Sequence, residues 1–239
     1  MTLNAKRIAI LGGTSGIGLA VAEAAGRAGA ALVVASSRQA SIDAALAKLP
    51  AGAEGHAANL KDEASVKALF AKLGPIDHLV FTAGENLQLG KLADTELAAA
   101  RDFFNLRYWG AYAAVKYGAP LIRSGGSITL TSGLAGQRPH PGWSVASSIC
   151  SAMEGLTRAL AVELAPIRVN IVSPGVVKSP LWSNMSEADR ESLYRNMAET
   201  LLLRHVGDPE EVAEAYLYLM KQSYGTGQCV TVDGGGALV

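Results

Sequence analysis

The stretch that decides the fold reads Gly12-Gly13-Thr14-Ser15-Gly16-Ile17-Gly18. A β-branched run at residues 7–11 comes directly before it, and a helical pattern at residues 17–28 follows. In a strand–turn–helix unit of this kind, the glycines let the backbone approach a pyrophosphate, and the helix N-terminus stabilises its negative charge. The context therefore predicts a dinucleotide site, whose contacts at this turn are Gly12, Thr14, Ser15, Gly16, Ile17 and Gly18.

The alternation of strand and helix continues along the chain. Further strands are predicted at residues 31–35, 78–82, 127–131, 168–172 and 229–232. Further helices are predicted at residues 41–49, 64–72, 94–117, 144–164 and 210–219. Strands that alternate with helices form βαβ units and a parallel sheet. We expect an α/β fold with a doubly wound, Rossmann-type sheet of about seven strands, in one domain that covers residues 1–239.

Composition excludes several classes of partner. The 239 residues carry 21 Lys and Arg against 21 Asp and Glu, so there is no excess of positive charge to attract nucleic acid or an anionic membrane. No apolar run approaches the roughly 18 residues of a membrane span. The two cysteines, Cys150 and Cys229, are too few for a disulfide framework, and no export signal is visible, so the cytoplasm is the expected location. No metal site is predicted.

The end of the second predicted strand distinguishes the two nicotinamide cofactors. A site for NAD usually places an Asp or Glu there to bind the ribose 2′-hydroxyl, whereas this chain reads Ser36-Ser37-Arg38. No carboxylate repels a 2′-phosphate at this point, and Ser37 and Arg38 can bind one. The sequence therefore favours NADP(H) over NAD(H). The alternative is that Arg38 is a solvated loop cation.

The glycine spacing Gly-x-x-x-Gly-x-Gly resembles that of the short-chain dehydrogenase/reductase family. Three later segments resemble family landmarks: Thr82-Ala83-Gly84, Arg168-Val169-Asn170 with Ser173-Pro174-Gly175, and Val232-Asp233-Gly234-Gly235. The resemblance covers about residues 7–236 and implies an oxidoreductase with a nicotinamide cofactor. It also implies cofactor contacts at Asn59, Leu60, Ala83, Gly84, Pro174, Gly175, Val177 and Ser179. Asn59 stands where the family usually has Asp, and its amide can still hydrogen-bond the adenine.

The catalytic positions implied by the resemblance carry unusual residues. In the family a Tyr donates a proton, a Lys four residues later binds the ribose, a Ser polarises the carbonyl, and an Asn completes a relay. The corresponding positions in this chain are Ala146, Cys150, Gly133 and Arg107. We expect ordinary ketone reduction to be slow as a result, because a positioned acid contributes about 10² to 10⁴-fold to the rate.

Three residues remain as candidates for catalysis. Arg107 adds a permanent positive charge that can hold the ribose or polarise a substrate oxygen, although a structural ion pair would also explain it. His140 titrates in the range of a proton donor, although a loop histidine is usually just solvated. Ser132 lies one residue from the family's Ser position, and strand alternation points it away unless the turn is remodelled.

A second pattern needs a separate interpretation. Tyr112 and Lys116 satisfy Tyr-x-x-x-Lys, but they precede the strand predicted at residues 127–131, whereas the family's pair follows it. We therefore interpret this pair as unrelated to catalysis.

Two classes of function fit these observations. The first is an atypical oxidoreductase that transfers hydride between NADPH and a small carbonyl, quinone or activated alkene. The second is a non-catalytic NADP(H)-binding protein, either a sensor or an assembly partner. The polar segment at residues 179–203 is predicted to be a lid, which favours the enzyme. The family pairs the helices corresponding to residues 94–117 and 144–164 across a two-fold axis, so the resemblance implies a homodimer or homotetramer.

Overall fold

A sheet of seven short, largely apolar strands organises the fold. The computed structural model of the chain describes residues 2–87 and 89–239. The strands are β1 (Arg7–Leu11), β2 (Ala31–Ser36), β3 (Glu54–Ala57), β4 (Ile76–Phe81), β5 (Ile122–Thr131), β6 (Arg168–Pro174) and β7 (Cys229–Val232). All neighbouring strands pair in parallel, in the order β3-β2-β1-β4-β5-β6-β7. The chain winds outward from β1 to β3 and then crosses to β4, so the order reverses between β1 and β4, where open α/β sheets bind ligands.

Eight α-helices connect these strands within the described residues. They are α1 (Gly16–Arg27), α2 (Gln39–Leu46), α3 (Glu63–Leu73), α4 (Leu97–Phe104), α5 (Ala111–Gly118), α6 (Ser144–Glu163), α7 (Glu187–Thr200) and α8 (Pro209–Lys221). Polar side chains cap the N-termini of α3 and α8. The Asp62 carboxylate accepts backbone N–H groups at the start of α3, and a capping box of Asp208 and Glu211 begins α8.

The core lies in two layers, one on each face of the sheet. Alternate residues of β1 divide between them: Ala9 and Leu11 face the layer that contains α3, α5 and α6, whereas Ile8 and Ile10 face α1 and α8. All four side chains are fully buried. Since both faces are covered, the strands read as continuous apolar runs, which explains why they were visible in the sequence.

The predicted α/β fold and doubly wound sheet are confirmed, and three elements differ from the prediction. The strand β3 was missed because Glu-Gly-His-Ala has no β-branched residue and forms a half-exposed edge. The helix predicted at residues 94–117 is interrupted by a π-helical turn, Asn105–Gly110. The predicted lid contains the well-formed helix α7, which has no buried residue to produce a sequence pattern.

The π-helical turn ends in close contact with a neighbouring loop. A Cβ on Gly110 would lie 2.6 Å from the carbonyl oxygen of Leu60, so the backbone at this point approaches the loop that follows β3. A π-turn inserts an extra residue into the helix and changes which side chains face the sheet, and such turns are frequent at functional sites. Here the turn contains Arg107.

Candidate active site

A cleft of about 760 Å³ opens at the carboxyl ends of the central strands. Residues that follow four of these strands line it, represented by Gly12 after β1, Ala83 after β4, Ser132 after β5 and Gly175 after β6. The parallel arrangement explains this convergence, because the carboxyl ends of parallel strands meet at one edge of the sheet.

Every residue predicted to contact the cofactor lines this cleft. These residues are Gly12, Thr14, Ser15, Gly16, Ile17, Gly18, Ser37, Arg38, Asn59, Leu60, Ala83, Gly84, Pro174, Gly175, Val177 and Ser179.

The glycine-rich turn has the shape and polarity that a dinucleotide needs. Gly12 has a φ of +89°, and a Cβ there would lie 2.5 Å from the backbone nitrogen of Ala83, so no larger residue fits. Helix α1 begins after Ser15 without a side-chain cap and has no acidic residue in its first turn. Its first backbone N–H groups therefore remain available to an anionic group.

The loop after β2 carries an unpaired cation. Arg38 is exposed, lines the cleft, and makes no side-chain hydrogen bond or ion pair with any residue that the structure describes. Ser37 beside it is exposed as well. The charge and hydroxyl groups at this end fit a 2′-phosphate.

Arg107 lies at the centre of the cleft. Its guanidinium donates to the backbone oxygen of Glu85, and Cζ lies 4.7 Å from the centre of the Phe103 ring. A Cβ on Gly84 would lie 2.8 Å from one of its terminal nitrogens, so only glycine leaves room for the guanidinium there. Burial lowers the pKa of Arg107, and the groups at Cys150 and Glu85 oppose that effect. Guanidinium groups remain charged in proteins even so.

One nitrogen of Arg107 remains without a partner. The Nε atom is buried and has no hydrogen-bond partner among residues 2–87 and 89–239. A buried donor that is left unpaired costs about 1 to 3 kcal/mol. This donor is therefore a candidate contact for a bound molecule.

Cys150 lies between two glycines in the same part of the cleft. A Cβ on Gly133 would lie 3.3 Å from Cys150 Sγ, and a Cβ on Gly136 would lie 3.1 Å from Cys150 Cβ. Burial raises the pKa of the thiol, while Ser132 and the charge of Arg107 act in the opposite direction. Ala146, one turn earlier on α6, is buried at the cleft wall.

The other two catalytic candidates both line the cleft but are directed differently. The hydroxyl of Ser132 donates to the backbone oxygen of Cys150 at 3.1 Å and lies 3.4 Å from Glu154 Oε1, so it is engaged with α6. His140 is exposed, and its ring packs edge-on against Trp143 with 4.7 Å between the ring centres.

The Tyr112 and Lys116 pair lies elsewhere, in a second groove formed by α5 and α6. Lys116 Nζ forms an ion pair with Glu63 at 2.7 Å. No tyrosine occurs among the cleft-lining residues that the structure describes.

The segment at residues 179–203 forms one wall of the cleft. Trp182 is 8% exposed, and its indole nitrogen donates to the backbone oxygen of Val177 at 2.9 Å. Asn86, in the loop after β4, lies within hydrogen-bond distance of Ser183 across the cleft. From the end of α7, Met197 and Thr200 also line the cleft.

Four lining residues with a charged or amide side chain were not singled out from the sequence. They are Lys61, Glu85, Asn86 and Arg138. Lys61 forms ion pairs with Glu85 and, at 2.8 Å, with Asp102. The available signal was position, because Lys61 and Glu85 directly follow the predicted contacts Leu60 and Gly84.

The described residues show neither a metal-type side-chain cluster nor a helix that could span a membrane. No group of three or more His, Cys, Asp or Glu side chains there has the arrangement of a metal site. None of the described helices has both the length and the apolar character to cross a membrane.

Comparisons with known proteins agree with this architecture. A family model described as an SDR-like Rossmann domain matches residues 2–239. The short-chain dehydrogenase/reductase ucsE of Acremonium sp. is 34% identical, with 98% of this chain and 96% of the relative covered.

Two solved structures are also similar. A small-chain dehydrogenase in complex with NADPH has a TM-score of 0.84 at 35% identity, covering 99% of this chain and all of the other. The MalC reductase/Diels-Alderase of Malbranchea aurantiaca has a TM-score of 0.91 at 32% identity, covering 99% of this chain and 98% of the other.

Proposed function

The chain belongs to the short-chain dehydrogenase/reductase family of oxidoreductases, and on that premise we propose that it is an NADP(H)-dependent reductase of a small carbonyl, quinone or activated alkene. A similar protein of known structure holds NADPH, and another carries the name of a reductase. The bound nicotinamide supplies the hydride. The residues of this chain bind the cofactor, orient it and handle charge and protons.

The cofactor extends along the cleft from β2 to β6. Arg38 and Ser37 bind the 2′-phosphate, and Asn59 and Leu60 lie beside the adenine. The N-terminus of α1 binds the pyrophosphate. The loop at residues 174–179 holds the carboxamide. The support for this arrangement is that all of these groups line one continuous cleft.

The position of Arg107 is the observation that carries the proposal. It lies beside Gly84 and Cys150, and its buried Nε has no partner in the part of the chain that the structure describes. The family resemblance of the sequence implies a ribose-binding lysine at the position of Cys150. A guanidinium on the neighbouring helix is long enough to supply the missing donor, and its charge does not depend on pH near neutrality. Arg107 therefore anchors the ribose and keeps positive charge near the reacting carbon.

The proton must come from a different group, because a guanidinium does not release one at physiological pH. His140 is the proposed donor, since it is exposed, lines the cleft and carries an imidazole, the side chain that most often transfers protons in catalysis. Ser132 is the second candidate, although its hydroxyl is engaged with α6. The segment at residues 179–203 acts as a lid within a single domain that covers residues 1–239, with Asn86 and Ser183 holding it closed.

The experiment is a measurement of NADPH oxidation, followed at 340 nm, across a panel of aldehydes, ketones, quinones and activated alkenes. Turnover with at least one class supports the reductase, and His140→Gln then lowers kcat more than the affinity for NADPH. Tight NADPH binding with no oxidation across the panel instead favours a non-catalytic NADP(H) sensor or assembly partner. The absence of a tyrosine among the described lining residues is the observation in favour of that second function.

We also propose a homodimer or homotetramer that pairs through α5 and α6. Tyr112 and Val162 are exposed on these helices, and the second groove lies between them. Light scattering on the purified protein tests this assembly. A charged replacement of the exposed Val162 on α6, Val162→Glu, is expected to shift it to monomer.

A further inference from the structure

Several cationic side chains line the cleft in the described part of the chain. All but one of them have either a protein partner or a proposed cofactor group to bind. Four Lys or Arg side chains line the cleft in the described part of the chain: Arg38, Lys61, Arg107 and Arg138. Glu85 is the one Asp or Glu among the same lining residues. The cleft is therefore strongly positive, and its charge selects for anionic ligands.

Three of these cations are accounted for. Lys61 is neutralised by Glu85 and Asp102. Arg38 lies at the end of β2, where the 2′-phosphate is proposed to bind. The guanidinium of Arg107 is fixed by the backbone oxygen of Glu85 at the proposed ribose site.

Arg138 is the remaining cation. It is half-buried, and its side chain has no hydrogen bond or ion pair with any residue in the ranges 2–87 and 89–239. Its backbone N–H donates to the oxygen of Leu134 at 2.8 Å, so the loop holds it in place. The preceding Gln137 turns the other way and donates to Thr231 Oγ1 at 3.2 Å. A half-buried arginine that has no counter-charge among the described residues is free to pair with an anionic ligand.

The surroundings of Arg138 define the rest of the ligand. It lies on the loop between β5 and α6, at the end of the cleft opposite Arg38. The lining residues of that loop and of the lid are mostly apolar: Leu134, Trp143, Leu181, Trp182, Met197 and Leu201. A molecule that fits this end has an apolar body large enough to contact these side chains.

We propose that Arg138 binds a carboxylate on an apolar, aromatic-sized substrate, and that it determines the substrate class of the reductase. The assignment of the bound molecule as the substrate of a reductase rests on the proposed function, whereas the anion site itself requires only the cleft. The planar guanidinium binds a carboxylate through two parallel hydrogen bonds, which fixes the orientation of the substrate as well as its charge. His140, two residues further on the same loop, adds positive charge when it is protonated.

The test measures binding rather than turnover. Protein saturated with NADP⁺, which occupies the other anion sites, is titrated calorimetrically with 2-naphthoate and with 2-naphthalenemethanol, its uncharged analogue. We expect naphthoate to bind at least about tenfold more tightly, because only the carboxylate can form a charge-assisted pair with the guanidinium, and tenfold corresponds to about 1.4 kcal/mol. In Arg138→Gln the two probes should bind equally, and Arg138→Lys should keep part of the preference. Arg101→Gln is the matched control, because Arg101 is exposed on α4 outside the cleft.

Three outcomes overturn the inference. These are equal affinity for both probes in the parent protein, no measurable naphthoate binding at millimolar concentration, and a preference that persists in Arg138→Gln. Thermal unfolding and NADP⁺ titration of each variant establish that it is folded and loaded. If the cofactor does not bind, the same comparison is made on the free protein. A preference that Arg138→Gln removes, together with no turnover across the panel, keeps the anion site and rejects the reductase.

Discussion

Cys150 Sγ lies against Gly133, close enough that a Cβ on the glycine would approach it to 3.3 Å. The family resemblance of the sequence assigns these two positions to a lysine and a serine. Here the small residue and the thiol pack together, with the charge of Arg107 nearby. This part of the cleft therefore holds a glycine, a thiol and one guanidinium that comes from the π-helical turn.

The thiol of Cys150 reports on this charge. Burial raises the pKa of Cys150, and Arg107 opposes the rise by stabilising the thiolate. Replacing Arg107 with Gln should raise the pKa further, lower the thiolate fraction at pH 8, and slow alkylation by iodoacetamide several-fold. Mass spectrometry of the Cys150 peptide measures the rate, and Arg38→Gln serves as the control. An unchanged rate would place the guanidinium outside electrostatic reach of the sulfur.

Arg107 should also contribute to cofactor affinity. Arg107→Asn is expected to weaken NADPH binding by about 1 to 3 kcal/mol, the range for hydrogen bonds to charged groups. Adding Cys150→Lys to this variant should recover binding, because a lysine there supplies the same donor from α6. Fluorescence titration measures both affinities. If Arg107→Asn binds NADPH as the parent does, the guanidinium has only a structural role with Glu85 and Phe103.

Arg38 should set the preference between the two cofactors. Its bonds to the 2′-phosphate are expected to contribute about 1.5 to 3 kcal/mol, which NAD(H) cannot gain. Arg38→Ala should therefore reduce the NADPH affinity and leave the NADH affinity nearly unchanged. Calorimetric titration with both cofactors gives the ratio. Equal affinities in the parent protein would refute this assignment.

Reduction of simple ketones should be slow despite an intact cofactor site. A positioned acid contributes roughly 10² to 10⁴-fold, and we propose that Ala146 stands at the position of the family's tyrosine. A steady-state assay with cyclohexanone is expected to give turnover far below the median of about 10 per second. Tyr112→Phe is the control, and it should have no effect on any activity because Tyr112 lies in the α5–α6 groove. Loss of activity in that variant would contradict our interpretation of the Tyr-x-x-x-Lys pattern.

The cofactor end of the cleft was predictable because its signals are local. Gly12, Arg38 and Ala83 each lie within two residues of the end of a strand that its apolar residues reveal, and parallel strands bring their ends together. The residues predicted to contact the cofactor accordingly all line one cleft.

The chemistry end was less predictable because it depends on contacts between distant residues. The Gly133 and Cys150 contact joins two elements, and the π-helical turn around Arg107 ends at Gly110, which packs against Leu60. Arg138 carries no sequence signal at all, since an unpaired guanidinium is recognised only when its neighbours are known.

One buried histidine should make the stability of the fold depend on pH. His78 is buried beside Ser127, with 2.9 Å from Nδ1 to the serine hydroxyl. Burial and the charge of Arg168 lower the pKa of His78 to about 4 from 6.5. Between pH 6.5 and 4 the unfolded chain binds a proton at His78 and the folded chain does not. The free energy of unfolding therefore decreases as pH falls from about 6.5 toward 4. Between pH 7 and pH 5 we expect His78 to account for about 2 kcal/mol of lost unfolding free energy, at 1.36 kcal/mol for each pKa unit.

Urea unfolding at the two pH values measures this loss, which His78→Asn should remove and His140→Asn, at an exposed site, should not. A His78→Asn protein with the same pH dependence as the parent would show that His78 becomes charged within the fold.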